Sequence, residues 1–254
     1  MNEAAGTALP FVAPCQRLPA NAAFGWIRAG WADYRRAPLQ SLAYGAVISA
    51  LSWGVTLVGL KVGSYWAVLI LLSGFVFVAP VLALGLYSIS RQLGRGLKPS
   101  LRRCFFAQRR GLSTAMVFAL ALLVVFLVWA RAGSLLHVFF PVEGHPDLRQ
   151  LATFLAIGSA VGSVFALVTF AFSAFSLPMI CDRDADAITA VVSSVNAVLR
   201  NKPAMLVWIL LIVLLTAAGF ATALLGLAVT IPLLGYATWH GYQATIDASA
   251  WPAN

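Results

Sequence analysis

The side chains of this chain that could do chemistry are three histidines, three cysteines and eight acidic residues, and their spacing decides against most of it. A haem held by two histidines would need His137 and His240 together. These border different apolar runs at opposite ends, most of a bilayer apart, so no single iron reaches both. Asp182-Arg183-Asp184-Ala185-Asp186 is the only acidic cluster. A calcium loop of the EF-hand type wants glycine sixth and glutamate twelfth, where this chain has Ala187 and Ser193. Asp184 or Asp186 is instead expected to cap a helix starting near Ala187. Glu143, His145 and Asp147 crowd into a short polar stretch after Pro141, which reads as a solvated loop. Cys15, Cys104 and Cys181 have no paired spacing and read as packing or interfacial residues. Nucleophile-elbow, phosphate-loop and zinc-protease motifs are absent. The expectation is a protein with no catalytic, cofactor-binding or metal-binding residue.

Composition sets the solvent. Of 254 residues, 61% are hydrophobic and 10% charged, and mean hydropathy is +0.89. Soluble domains average about 45–50% and 25%, so this chain lacks the polar surface to cover a water-soluble globule. It reads as an all-α, polytopic membrane protein. The net charge of +9 is then a matter of which membrane face carries the cations, and no nucleic-acid partner is inferred from it.

A helix crosses the hydrocarbon core in about 20 residues. Charge-free runs place spans at about 39–60, 63–89, 112–130 and 151–178. The final run, Ala204 to His240, is too long for one crossing and is divided into 204–219 and 222–239, with a turn near Gly219 to Gly226. The expected domain plan is a flexible tail at 1–23, one membrane domain at 24–243 and a C-terminal tail at 244–254. Pro10, Pro14 and Pro19 interrupt the leader, which reads as a retained cytoplasmic tail and not as a signal peptide.

Six spans put both termini on one side. Fourteen cations gather there: Arg17, Arg28, Arg35 and Arg36 before the first span; Arg91, Arg95, Lys98, Arg102, Arg103, Arg109 and Arg110 in the 91–110 loop; Arg183, Arg200 and Lys202 before the last hairpin. Only Lys61, Arg131 and Arg149 lie opposite. The positive-inside rule makes the richer side cytoplasmic. Tyr65, Trp66 and Trp129 mark the outer interface, and Tyr87, Trp239 and Tyr242 the inner one, with His240 beside them.

The elements repeat. Trp31 to Leu39, Phe105 to Leu112 and Asn196 to Met205 each run from a helical stretch through basic residues and Pro or Gly into an apolar run. The returning span of each pair carries a proline, Pro80, Pro178 or Pro232, expected to kink or end its helix. This makes three transmembrane hairpins, each preceded by a cytoplasmic amphipathic helix. Phe24, Ile27, Trp31 and Tyr34 share one helical face, as do Ile188, Val192, Val195 and Leu199. Trp26, Trp31 and the 97–108 and 187–200 segments are expected to lie flat on the cytoplasmic leaflet. Arg35, Arg36, Arg95, Lys98, Arg102, Arg103, Arg109 and Arg110 would there meet anionic lipid headgroups.

The stretch Trp26 to Pro38 with Ser41 to Gly45 resembles domain-of-unknown-function family 2189, as do Pro80 to Tyr87, the junction from Leu177 to Asp184, and Pro232 to His240. The likeness runs from about residue 24 to 243. It implies a multi-pass protein of the bacterial inner membrane, with no established activity. Some members carry the label of a cytochrome c oxidase subunit, but three histidines are too few for the ligands of a haem-copper site.

The first expectation for function is therefore a non-catalytic membrane protein, acting as a scaffold, in assembly or in envelope homeostasis. Its partners would be membrane lipids, and a second copy or another membrane protein. The alternative is a transporter or lipid-handling protein, favoured by the internal repeat and the proline-interrupted helices. No ionisable residue falls at the centre of a span, which argues against proton coupling but not against lipid handling. A redox subunit is disfavoured by the histidine count.

Overall fold

Proline opens the first long helix and lysine closes it. Helix α2 runs Pro38–Lys61, and Pro38 suits a first helical position because the amide it lacks would find no partner there. The computed structural model describes residues 10–61, 71, 83–100, 112–139 and 148–254. Helix α1 (Ala22–Arg36) precedes α2. Helices α3 (Leu84–Gly94), α4 (Leu112–Phe139), α5 (Leu148–Ser173), α6 (Ser176–Asp182), α7 (Ala187–Arg200), α8 (Lys202–Ala221) and α9 (Leu227–Thr245) follow, and no strand is formed among the described residues.

Four helical stretches are long and apolar enough to cross a membrane: Pro38–Lys61, Ser113–Leu135, Leu148–Asp182 and Lys202–Ala221. They coincide with the spans expected at 39–60, 112–130, 151–178 and 204–219. The span at 63–89 lies largely outside the described residues. The span at 222–239 corresponds to α9, which is not among the four. Helix α4 also runs past Arg131 to Phe139, beyond the expected border at 130.

Helix α9 is the hub. It packs against α1, α2, α3, α6 and α8, and small residues let the backbones close in. A methyl at Gly30 of α1 would stand 2.8 Å from the Ala237 nitrogen, and one at Gly45 of α2 would overlap the Ala228 carbonyl. That carbonyl is four residues before Pro232, so it loses its intrahelical donor. Pro232 itself sits inside α9, which continues through it. Helices α4 and α5 pack on each other, with the Trp129 indole over Gly162, and join the rest through α6 and α7.

Pro178 lies where the chain departs from one continuous helix. Helix α5 ends at Ser173, and α6 restarts at Ser176 with Pro178 in its first turn. Helix α7 stitches the interruption. Ser194 Oγ donates to the Ala171 carbonyl at 2.8 Å and accepts from the Phe175 amide at 3.1 Å. Pro80 lies outside the described residues.

Three expectations are corrected by packing. Trp26 is not on the leaflet: it is buried edge-on against Trp208, centroids 5.6 Å apart, and Phe175, 6.2 Å. Trp239 and Tyr242, expected at the interface, are buried on the inner side of α9. The described residues of the stretches expected as tails, 10–23 and 244–254, are built in. The Ala13 amide bonds Ser193 Oγ at 2.9 Å, the Leu18 amide bonds Asn201 Oδ1 at 2.8 Å, and Cys15 pairs with Ile246 in antiparallel register. At the other end Trp251 is buried, Arg183 pairs with Ala253, and Asn254 Nδ2 donates to the Ile180 and Arg183 carbonyls. The Ile180 carbonyl, in the last turn of α6, would otherwise lack a donor, and the Arg183 carbonyl also accepts from the Ala185 amide at 2.9 Å.

Candidate functional site

The C-terminal halves of α1, α3 and α9 converge on one carboxylate. Asp33 of α1 is 4% exposed. Its Oδ2 lies 2.8 Å from His240 Nε2 of α9 and accepts from Ser90 Oγ of α3 at 2.7 Å. With the carboxylate as acceptor, Nε2 carries the hydrogen. The residue types are those of a hydrolytic triad, but the order is not. Ser90 Oγ donates to Asp33 and not to an imidazole nitrogen, so the serine–histidine hydrogen bond of such a triad is not formed. The arrangement is a clamp on three helices through one oxygen.

A second polar group lies along α3 and α6. Arg91, next to Ser90, donates to the Cys181 carbonyl. Asp182 Oδ2 accepts from Tyr242 Oη at 3.1 Å and pairs with Arg183 Nε at 3.1 Å. Burial, with the neighbouring Asp182 carboxylate second, pushes the Tyr242 phenol well above its usual range. Among the described residues no group of three His, Cys, Asp or Glu is placed to hold a metal.

The residues expected from the sequence fall as follows. Asp186 caps α7, its Oδ1 accepting from the Thr189 amide at 2.9 Å. Burial would raise its carboxyl, but the bonds from Thr189 and the neighbouring backbone outweigh that and hold it below the usual carboxylate range. Arg35, Arg36, Arg95 and Lys98 are exposed. Arg102, Arg103, Arg109 and Arg110 lie outside the described residues, as do Cys104, Glu143, His145 and Asp147. His240, expected at the interface, is drawn to Asp33. No local spacing points to the clamp, because its partners are 57 and 207 residues from Asp33.

Helices α1 and α7 each leave large apolar residues of the expected face outside and turn another face inward. On α1 the side chains turned inward are Ala23, Trp26, Gly30, Asp33 and Tyr34, while Phe24 is 56% and Trp31 43% exposed, with Arg28 and Arg35 on the same outer stripe. Trp31 stacks on the edge residue Tyr34, centroids 5.4 Å apart. On α7, Thr189, Ala190, Ser193, Ser194 and Ala197 turn inward and Ile188 and Leu199 outward. On α7 small and polar residues make the protein contacts and large apolar ones are left outside, whereas α1 buries Trp26 and Tyr34 alongside its small residues.

Residues 67–182 match the family model described as a predicted integral membrane protein, DUF2189. The resemblance read from the sequence is thus shown for that segment, which runs from before α3 to the end of α6. Trp26 to Gly45 and Pro232 to His240 lie outside it. No curated protein and no solved structure matches the chain. The protein is an integral membrane protein with several apolar helices, and the family it matches has no known role.

Proposed function

We propose that this is a non-catalytic, multi-pass protein of the bacterial cytoplasmic membrane, with both termini in the cytoplasm, that works as a scaffold, in assembly or in envelope homeostasis. Its basic collar rests on anionic headgroups, and a second copy or another membrane protein is its macromolecular partner. One observation supports this best. The outer stripe of α1, Phe24, Arg28, Trp31 and Arg35, combines exposed apolar and cationic side chains on the helix that leads directly into the α2 span. Such a stripe suits the headgroup layer, where rings reach the acyl boundary and guanidinium groups reach phosphates. Phe24 and Trp31 would each contribute on the order of 1–2 kcal/mol by burial, and Arg28 and Arg35 roughly 1 kcal/mol each, screened by salt. Neither contribution dominates.

The test is quenching by shallow brominated lipids in the full-length protein, read as the difference between it and Trp31→Phe. Quenching of the Trp31 component, stronger in anionic than in neutral bilayers, is expected. An unquenched Trp31 would reject the collar and make α1 a docking face for a cytoplasmic protein. Native mass spectrometry bears on the rest of the reading: a bound solute at one per protein would favour a transporter or lipid-handling protein over a scaffold.

A further inference from the structure

We propose that the α8–α9 hairpin is re-entrant: it enters the bilayer from the side on which α2 begins, turns near the midplane, and presents its tip to lipid acyl chains. The inference rests on α2 as a membrane span and on neither the collar nor the orientation.

The contacts along α2 set the depth. Ser41 Oγ meets Tyr236 Oη at 2.7 Å, Gly45 faces the Ala228 carbonyl, and Ser49 Oγ donates to the Leu224 carbonyl at 3.1 Å. Advancing along α2 therefore retraces α9 back to its turn, and the turn is reached at Ser49. The apolar run of α2 extends from Leu39 to Leu60 before Lys61. Ser49 is about 15 Å from either end of it at 1.5 Å per residue, half of a core about 30 Å thick. The remainder of the hairpin lies on the near side. Trp208 of α8 packs on Trp26, and α9 packs on α1 through Gly30 and Gly241. Helix α8 is long and apolar enough to cross, but its residues up to Trp208 run beside α1. Those after it reach only about 20 Å further.

Most amides of the turn, though not that of Leu224, are paired within it. The Ala223, Leu225, Leu227 and Ala228 amides donate to the Phe220, Thr222, Leu224 and Leu225 carbonyls at 3.0–3.2 Å. The Gly226 amide donates to Thr222 Oγ1 at 2.7 Å, and Ser49 serves the Leu224 carbonyl. In hydrocarbon each unpaired group would cost several kcal/mol. Ala223 and Leu224 have φ of 53° and 68°, where a water-exposed turn would favour Gly or Asn. Their apolar side chains, with Leu225 66% exposed, suit acyl chains instead. No Asp, Glu, Lys or Arg occurs from Pro203 to Ile246, so nothing charged anchors the tip in a far aqueous phase.

Impermeant-maleimide labelling of full-length single-cysteine variants tests this, with Cys15, Cys104 and Cys181 replaced by Ser. Lys61→Cys reports the far face. Ala223→Cys and, as a second variant, Leu225→Cys report the tip. The expected result is less than about a tenth of the position-61 labelling from either face of intact vesicles, rising to full labelling in denaturing detergent. A bimane on position 225 should be quenched most by lipids brominated near the chain ends. Labelling of 223 or 225 from the position-61 face would show a complete crossing and overturn the proposal. Labelling from the opposite face would show a hairpin outside the bilayer and overturn it equally.

Discussion

At Gly45 a single hydrogen in place of a methyl lets α2 approach the Ala228 carbonyl, the acceptor that Pro232 leaves without an intrahelical donor. Gly45→Ala must push two backbones apart, an overpacking cost of typically 1–3 kcal/mol. Gly54, on the same helix, has open space where a methyl would stand, with nothing within 4 Å. Gly54→Ala should be neutral or stabilising by up to about 1 kcal/mol, because alanine is the better helix former. Thermal unfolding of both variants in one detergent checks the contrast, and equal midpoints would refute the close approach. Asp33 makes the other residue-scale prediction. Asp33→Ala leaves His240 Nε2 and Ser90 Oγ without their shared acceptor, for a loss of about 1–3 kcal/mol. Asp33→Asn keeps one acceptor oxygen and should lose less. If Ser90→Ala adds its full separate cost on top of Asp33→Ala, the two do not act through one carboxylate.

At the scale of elements, the N-terminus of α7 is legible in the sequence, because an aspartate before a helix-forming run has a local role that needs no distant partner. Asp186→Ala should cost about 1 kcal/mol, and Asp186→Asn much less. Since the folded protein holds this carboxyl below its usual range, the cap's contribution is complete above the ordinary carboxylate value. It is lost as pH falls through the folded-state value. The stability difference between the chain and Asp186→Ala should therefore shrink only in strong acid, as unfolding across pH would show. The inward faces of α1 and α7 are not legible. Apolar period identifies the buried face when water is the solvent, but beside a bilayer the large apolar residues can stay outside while Gly, Ala and Ser make the helix contacts. Period alone groups Tyr34 of α1 with the outer residues Phe24 and Trp31, although Tyr34 is buried, and says nothing of Asp33. The partners of that carboxylate arrive from helices far along the chain, which no local spacing announces.

Over the whole molecule, the membrane character and the four stretches long and apolar enough to cross follow from charge-free length alone, because about 20 apolar residues in water have no other stable place. The N-terminal stretch and the C-terminal residues read as tails because their polar, proline-broken sequences show no period. They are fixed by bonds to Ser193, Asn201 and the end of α6, all beyond reach of a local pattern. These bonds bring both ends of the described chain to α7 and the end of α6, so that Arg17, Arg183, Arg200 and Lys202 adjoin or make them. A re-entrant α8–α9 leaves that arrangement intact, because a hairpin that returns to its own side changes no other segment's orientation. The cation bias therefore still predicts the 91–110 segment in the cytoplasm and the 132–149 segment outside. With native cysteines replaced, an impermeant maleimide added to intact cells should label a cysteine at position 145 and spare one at position 98. Labelling at 98 and not at 145 would invert the protein, placing its basic face outside and removing the anionic leaflet as the counterpart of Arg28 and Arg35.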